Sequence, residues 1–215
     1  MFRIFAPWLI DKTVKRVLYL DCDMLCTGPV TELFTLDMKD KIFGACQEVS
    51  QNVFRRKEMR EKYPCLPYCN SGTILYSLEN ARGKYTEDGI AKIIEDNAEK
   101  FKYPDQDLLN LYFYDDLLFI NTWRYNFQLY ELKGNCFYKP ALKNASVLHW
   151  SANKPWHKSA SLHMIRLYRK LSLYPPMKKL ATQYIVRKVL LYPFSILIRL
   201  SERKKRKADE KREGF

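Results

Sequence analysis

No uncharged apolar run in this 215-residue chain reaches the ~18 residues that a helix needs to cross a bilayer, so no spanning segment is predicted. The opening Met1-Phe-Arg-Ile-Phe-Ala-Pro-Trp8 holds too short an apolar stretch for a secretory core and shows no small-residue cleavage site, which points to a protein that stays in the cytosol. Without an export signal, the six cysteines (22, 26, 46, 65, 69 and 136) read as reduced thiols rather than a disulfide framework. The Cys22/Cys26 and Cys65/Cys69 spacings would also allow a four-thiolate zinc site, set against the default of buried small hydrophobes. Internal repeats and low-complexity linkers are lacking too, which excludes a solenoid. No recognised DNA- or RNA-binding motif accompanies the basic charge, so no nucleic-acid partner is expected.

What is present is a hydrophobic content of 47% with 14% aromatics, enough for a packed core and too much for disorder. The net charge of +13 is uneven: residues 176–215 carry 12 Lys/Arg against 4 Asp/Glu. The basicity therefore belongs mainly to the tail. Before it, strand-like and helix-like segments alternate. Strands are predicted at 17–20, 42–46 and 72–78, a short helix after Pro29, and helices at 54–62, 87–100 and 106–113, which argues for an α/β sheet. The paired prolines 175–176 break this order.

The strand Arg16-Val-Leu-Tyr-Leu20 ends abruptly in Asp21-Cys-Asp23. It reads as a buried strand, and ligand sites of parallel sheets lie at the carboxyl ends of strands. Two hard oxygen donors there suit Mg²⁺ or Mn²⁺ together with substrate phosphates. Taken alone, the pair could equally cap a turn. Downstream follow Tyr68-Cys-Asn70-Ser71-Gly72, then Pro104-Asp105-Gln106-Asp107, then Leu148-His149 through Lys154-Pro155-Trp156. In this order, over roughly residues 1–157, the motifs resemble glycosyltransferase family 8, retaining hexosyltransferases of the GT-A fold that include bacterial lipopolysaccharide glucosyl- and galactosyltransferases.

The resemblance implies a mixed, mostly parallel sheet flanked by helices, with a catalytic domain over 1–174. It implies that Asp21, Asp23 and His149 hold Mn²⁺, with Mg²⁺ as the alternative; an imidazole among carboxylates favours Mn²⁺ by ligand softness. It also implies that Lys154 places a point charge at the leaving diphosphate of a UDP-sugar. The family spacing His-x-x-Gly-x-x-Lys is one residue shorter here and lacks the Gly. Asn70, Asp105 and Gln106 fall at positions that contact the transferred sugar, with Gln106 beside the anomeric carbon, and Asp105 could also cap its helix. His157 and His163 have no such motif around them.

Arg3 matches an arginine that approaches the nucleotide. Family members carry further residues before this point, so an N-terminally truncated catalytic domain is expected. At the other end, residues 175–215 combine an apolar stripe with flanking Lys and Arg, expected to lie as a helix on an anionic membrane surface. Together these features imply hexosyl transfer to a lipopolysaccharide, glycolipid or surface-polysaccharide acceptor at the inner face of the cell membrane. The alternative is an inactive or truncated remnant serving as a non-catalytic membrane-associated protein.

Overall fold

The computed structural model describes residues 2–49, 67–129, 138–151, 154–157, 162–171, 178–179, 181–183 and 185–186. The helix predicted at 54–62, Cys65, Cys136 and most of the tail from 175 onward lie outside these residues. Two compact units divide at Ala152/Asn153.

The first unit holds strands β1 (Arg16–Leu20), β2 (Met24–Cys26), β3 (Phe43–Gln47), β4 (Cys69–Ser77), β5 (Leu117–Ile120), β6 (Phe127–Gln128) and β7 (Val147–His149). Its helices are α1 (Ala6–Leu9), α2 (Leu78–Lys84), α3 (Glu87–Glu95), α4 (Pro104–Tyr112), α5 (Thr122–Tyr125) and α6 (Tyr138–Asn144). One sheet has the order β1-β4-β3-β5 and a second β2-β7-β6. The class is mixed α/β, as expected. The pairing sense differs: β1/β4, β3/β4 and β2/β7 run antiparallel, and β3/β5 and β6/β7 parallel, so among the described strands the sheets are not mostly parallel. The reason is that an unbroken apolar run reports burial on both faces and not strand direction. β4 is buried at all nine positions yet antiparallel to both of its neighbours.

β4 is longer than its apolar pattern suggests. It starts at Cys69 because Asn110 of α4 satisfies that residue's backbone, its Oδ1 accepting the Cys69 N–H at 2.7 Å and its Nδ2 donating to the Cys69 carbonyl at 3.0 Å. The β3–β4 register jumps between Ala45↔Ile74 and Cys46↔Asn70, so Ser71, Gly72 and Thr73 form a bulge opposite β3. The freed N–H groups of Ser71 and Gly72 turn to side-chain acceptors, Gln106 and Asn70. On the opposite edge the Gly72 carbonyl accepts the N–H of Asp21 at 2.9 Å. The turn Asp21-Cys22-Asp23 thus crosses from β1 of one sheet to β2 of the other.

The core beneath combines Phe43, Tyr76 and Phe113 in edge-to-face contact, with ring centroids 5.6 and 5.7 Å apart, over Ile74, Leu108 and Leu109. α3 starts at an N-cap, Thr86, whose hydroxyl accepts the Gly89 N–H. It ends at Glu95 rather than continuing to 100, because the Asn97 amide takes the Ile93 carbonyl and the chain resumes as a 3-10 turn over Ala98–Lys100. α4 begins with Pro104 in its first turn, behind Tyr103 as N-cap; Asp105 lies inside the helix and does not cap it.

The second unit includes the turn Lys154–His157, closed by the His157 N–H on the Lys154 carbonyl, and α7 (Leu162–Leu171). Trp156 meets Tyr168 edge-on, and Arg169 Nε donates to the Thr182 hydroxyl at 2.8 Å. Residues 178–179, 181–183 and 185–186 are helical. No helix among the described residues is long and apolar enough to cross a membrane.

Candidate active site

The turn between β1 and β2 and the end of β7 converge. Met24 pairs with His149 across β2 and β7, and the Trp150 N–H donates to the Asp23 carbonyl at 3.1 Å, which fixes the imidazole beside the two aspartates. Among the described residues, Asp21, Asp23 and His149 each bring one ligand atom within 4.8 Å of the others. His149 Nε2 lies 3.3 Å from Asp23 Oδ1, with both side chains buried. Gly72 makes this approach possible: a Cβ there would stand 2.6 Å from His149 Cε1 and 2.6 Å from Met24 Cε.

Arg3 spans the carboxylates. Its Nη1 donates to Asp21 Oδ1 at 2.8 Å and to the Ser71 carbonyl at 2.9 Å, and its Nε lies 2.5 Å from Asp105 Oδ2. The last contact is an ion pair without hydrogen-bond alignment, since Asp105 Oδ2 accepts no aligned donor. The guanidinium also stacks on Tyr19, 4.5 Å from the ring centre, while the Tyr19 hydroxyl donates to Asp21 Oδ1 at 2.7 Å. Burial, and then that hydrogen bond, push the Tyr19 phenol well above the ordinary tyrosine range, so it remains a donor.

α4 presents the remaining polar groups. Gln106 Oε1 accepts the Ser71 N–H at 3.0 Å. Asp107 is turned into the protein: its Oδ1 accepts the Tyr68 hydroxyl, and its Oδ2 accepts the N–H groups of Lys102 and Tyr103 at 2.7 and 2.9 Å. Asn70 is equally engaged, its Nδ2 on Glu48 Oε2 at 2.7 Å and its Oδ1 under the Gly72 N–H. Arg3, Asp21, Asp23, Asn70, Asp105, Gln106 and His149 therefore meet in one cluster of the first unit. Lys154 lies in the second unit, in the turn already described.

A comparison with protein families matches residues 1–160 to Glycosyl transferase family 8. The chain belongs to glycosyltransferase family 8. Family relatives include the lipopolysaccharide 1,2-glucosyltransferase of Escherichia coli strain K12, 31% identical over an alignment of 180 positions that covers 78% of this chain and 52% of that protein. General stress protein A of Bacillus subtilis is 28% identical over an alignment of 171 positions that covers 74% of this chain and 59% of that protein. The chain thus spans between about half and three-fifths of the length of these relatives. The crystal structure of galactosyltransferase LgtC with donor and acceptor sugar analogs shares the fold, with a TM-score of 0.59 at 23% identity, covering 85% of this chain and 66% of that one.

The donor set of this family 8 chain fits a divalent cation. Two carboxylates and an imidazole suit a metal of intermediate hardness. Neighbouring ligands around an octahedral ion bonded at roughly 2.1 Å stand about 3 Å apart, comparable to the Asp23–His149 spacing. The four-thiolate zinc alternative does not fit. Cys69 is buried, receives the Asn110 amide on its sulfur at 3.2 Å, and has its thiol pushed far up by burial, while Cys22 and Cys26 are exposed. Reading the sequence missed Tyr19, Glu48 and Asn126. Glu48 had a signal, a carboxylate directly after an apolar strand, as Asp21 follows β1. Asn126, in a loop, had none.

Proposed function

We propose that this chain carries the catalytic core of a retaining hexosyltransferase. It moves glucose or galactose from a UDP-sugar to a lipopolysaccharide, glycolipid or surface-polysaccharide acceptor and works with Mn²⁺, or with Mg²⁺ in its place. The observation that carries this reading is the convergence of Asp21, Asp23 and His149 within 4.8 Å, beside the Arg3 guanidinium. The E. coli relative named as a glucosyltransferase and the LgtC structure named as a galactosyltransferase support a hexose donor and leave its epimer open.

In this reading Asp21, Asp23 and His149 hold the cation, which when bound neutralises charge gathering on the departing diphosphate. Arg3 fixes the carboxylates and adds positive charge near the nucleotide, and Lys154 supplies a second point charge. Asn70, Asp105 and Gln106 orient the sugar by hydrogen bonds. Asp107 has both oxygens occupied, which argues against its acting as a nucleophile and supports transfer on one face. The acceptor oxygen then bonds to the anomeric carbon as the carbon–phosphate oxygen bond breaks, and the hydroxyl proton passes to the leaving phosphate.

The catalytic part extends to 174 in this reading, and the basic stretch 175–215 holds the protein on the anionic inner face of the cell membrane. Removing residues 176–215 is expected to release the protein from anionic vesicles; unchanged co-sedimentation would refute the membrane role. The catalytic reading is tested by calorimetric titration of UDP with Mn²⁺ and with chelator. Failure of a folded sample to bind would favour a non-catalytic remnant.

A further inference from the structure

Four buried polar side chains form a continuous line behind the candidate metal ligands. Glu48 Oε2 accepts from Asn70 Nδ2 at 2.7 Å, Asn70 Oδ1 accepts from Asn126 Nδ2 at 2.8 Å, and Asn126 Oδ1 faces His149 Nδ1 at 2.8 Å. Their relative exposures are 5, 5, 0 and 3%, so water does not substitute for a missing partner. The line starts after β3, passes through β4 and the loop before β6, and ends on β7, joining the two sheets.

The direction of every bond in this line follows from one group that has no choice. The backbone N–H of Gly72 can only donate, and it meets Asn70 at 2.9 Å, so the Asn70 atom there is the oxygen. The other end of that amide, Nδ2, then faces the Glu48 carboxylate, which accepts. Asn126 must present its own nitrogen to Asn70 Oδ1 and therefore its oxygen to the imidazole. An amide oxygen beside a ring nitrogen requires that nitrogen to carry hydrogen. The neutral ring is thereby fixed with its proton on Nδ1 and a lone pair on Nε2, 3.3 Å from Asp23 Oδ1.

We infer that Gly72, Asn70, Asn126 and Glu48 form a relay that holds His149 in its Nδ1–H tautomer, so that Nε2 cannot form a hydrogen bond to Asp23 and both remain donors for a cation. The inference rests on the metal-site reading above and extends it to residues that position the imidazole: Asn126 and Glu48, joined through Asn70, which that reading also places at the sugar. Two electron-pair donors, His149 Nε2 and Asp23 Oδ1, then face each other 3.3 Å apart in a buried place, an arrangement that a positive ion between them would stabilise. With the opposite tautomer, Nε2–H would donate to Asp23 and occupy both ligands. Glu48 also gives a reason for the bulge at Ser71, Gly72 and Thr73. The register jump in β4 is what sets Asn70 opposite Cys46, next to the carboxylate that follows β3.

The test is nitrogen-15 NMR of the histidine rings in the metal-free full chain, at a pH where the His149 ring is neutral. His157→Gln and His163→Gln identify the signals. The native ring is expected as Nδ1–H. Asn126→Leu is expected to shift it toward Nε2–H and to weaken binding of Mn²⁺ alone roughly tenfold or more. Asn126→Asp keeps an acceptor for Nδ1–H while losing the N–H that Asn70 Oδ1 accepts, and, where it folds, is expected to keep the native tautomer. A native ring protonated on Nε2 would overturn the relay, as would a folded Asn126→Leu protein with unchanged tautomer and Mn²⁺ affinity. Should Asn126→Leu fail to fold, the native spectrum still decides. An Nδ1–H ring in a protein that binds no Mn²⁺ would uphold the relay and refute the metal reading instead.

Discussion

Arg3 Nη1 donates to Asp21 Oδ1 at 2.8 Å, tying the first helical turn of the chain to the end of β1, 18 residues away. The same guanidinium pairs with Asp105, so it neutralises charge on both carboxylates. Arg3→Ala is expected to lower stability by about 2 kcal/mol, through loss of hydrogen bonds to charged groups. The melting temperature would fall by roughly 4–8 °C. Arg3→Lys keeps the charge but lacks the planar fork that spans two carboxylates, and should recover only part of the loss. Equal melting temperatures for Arg3→Ala and the parent protein would show that the bridge contributes nothing to the fold.

Gly72 and Gly83 are expected to respond to alanine in opposite ways. A Cβ on Gly72 would meet His149 Cε1 and Met24 Cε at 2.6 Å, whereas a Cβ on Gly83 has open space around it. Gly72→Ala should cost about 1–3 kcal/mol by overpacking and weaken Mn²⁺ binding, because the imidazole must move. Gly83→Ala lies within α2 and should gain about 0.5–1 kcal/mol with no effect on binding. Urea denaturation with Mn²⁺ titration of both variants checks this. A neutral Gly72→Ala would contradict the close packing at the site.

Alkaline pH should destabilise the fold. Burial, its largest cause, pushes the phenols of Tyr68 and Tyr76 well above the usual tyrosine range. An unfolded tyrosine loses its proton near about pH 10. Above that pH the unfolded chain binds fewer protons than the folded chain, and stability falls as pH rises. The contribution is fully present below about pH 10 and disappears as pH climbs toward the folded-state values. The urea midpoint should hold near about pH 8 and drop by about pH 11, with a shallower drop in Tyr76→Phe. A flat profile to about pH 11 would refute it.

Much of the site was legible because its ligands stand at strand ends. Asp21 and Asp23 terminate an apolar run and His149 terminates another, and the resemblance to a family in which these motifs occur in the same order linked them across the chain. The relay residues were hidden for a physical reason. Asn126 is an ordinary loop residue whose role comes from its neighbours in space, and the Glu48–Asn70 contact exists only because of the bulge in β4. The same holds for strand direction. β4 is apolar throughout, and that pattern does not distinguish an antiparallel central strand from a parallel one. The helix predicted over 87–100 was visible by its isoleucines on one face, but its end at Glu95 depends on one side-chain hydrogen bond from Asn97.

The central claim is that Asp21, Asp23 and His149 form a cation site that serves a nucleotide. It is tested most directly by calorimetric titration of UDP into the chain with Mn²⁺, repeated with chelator and in Asp23→Ala. The account predicts binding that requires Mn²⁺ and is lost in a folded Asp23→Ala protein. UDP affinity that is the same with and without Mn²⁺, or the same in Asp23→Ala and the parent, would contradict it.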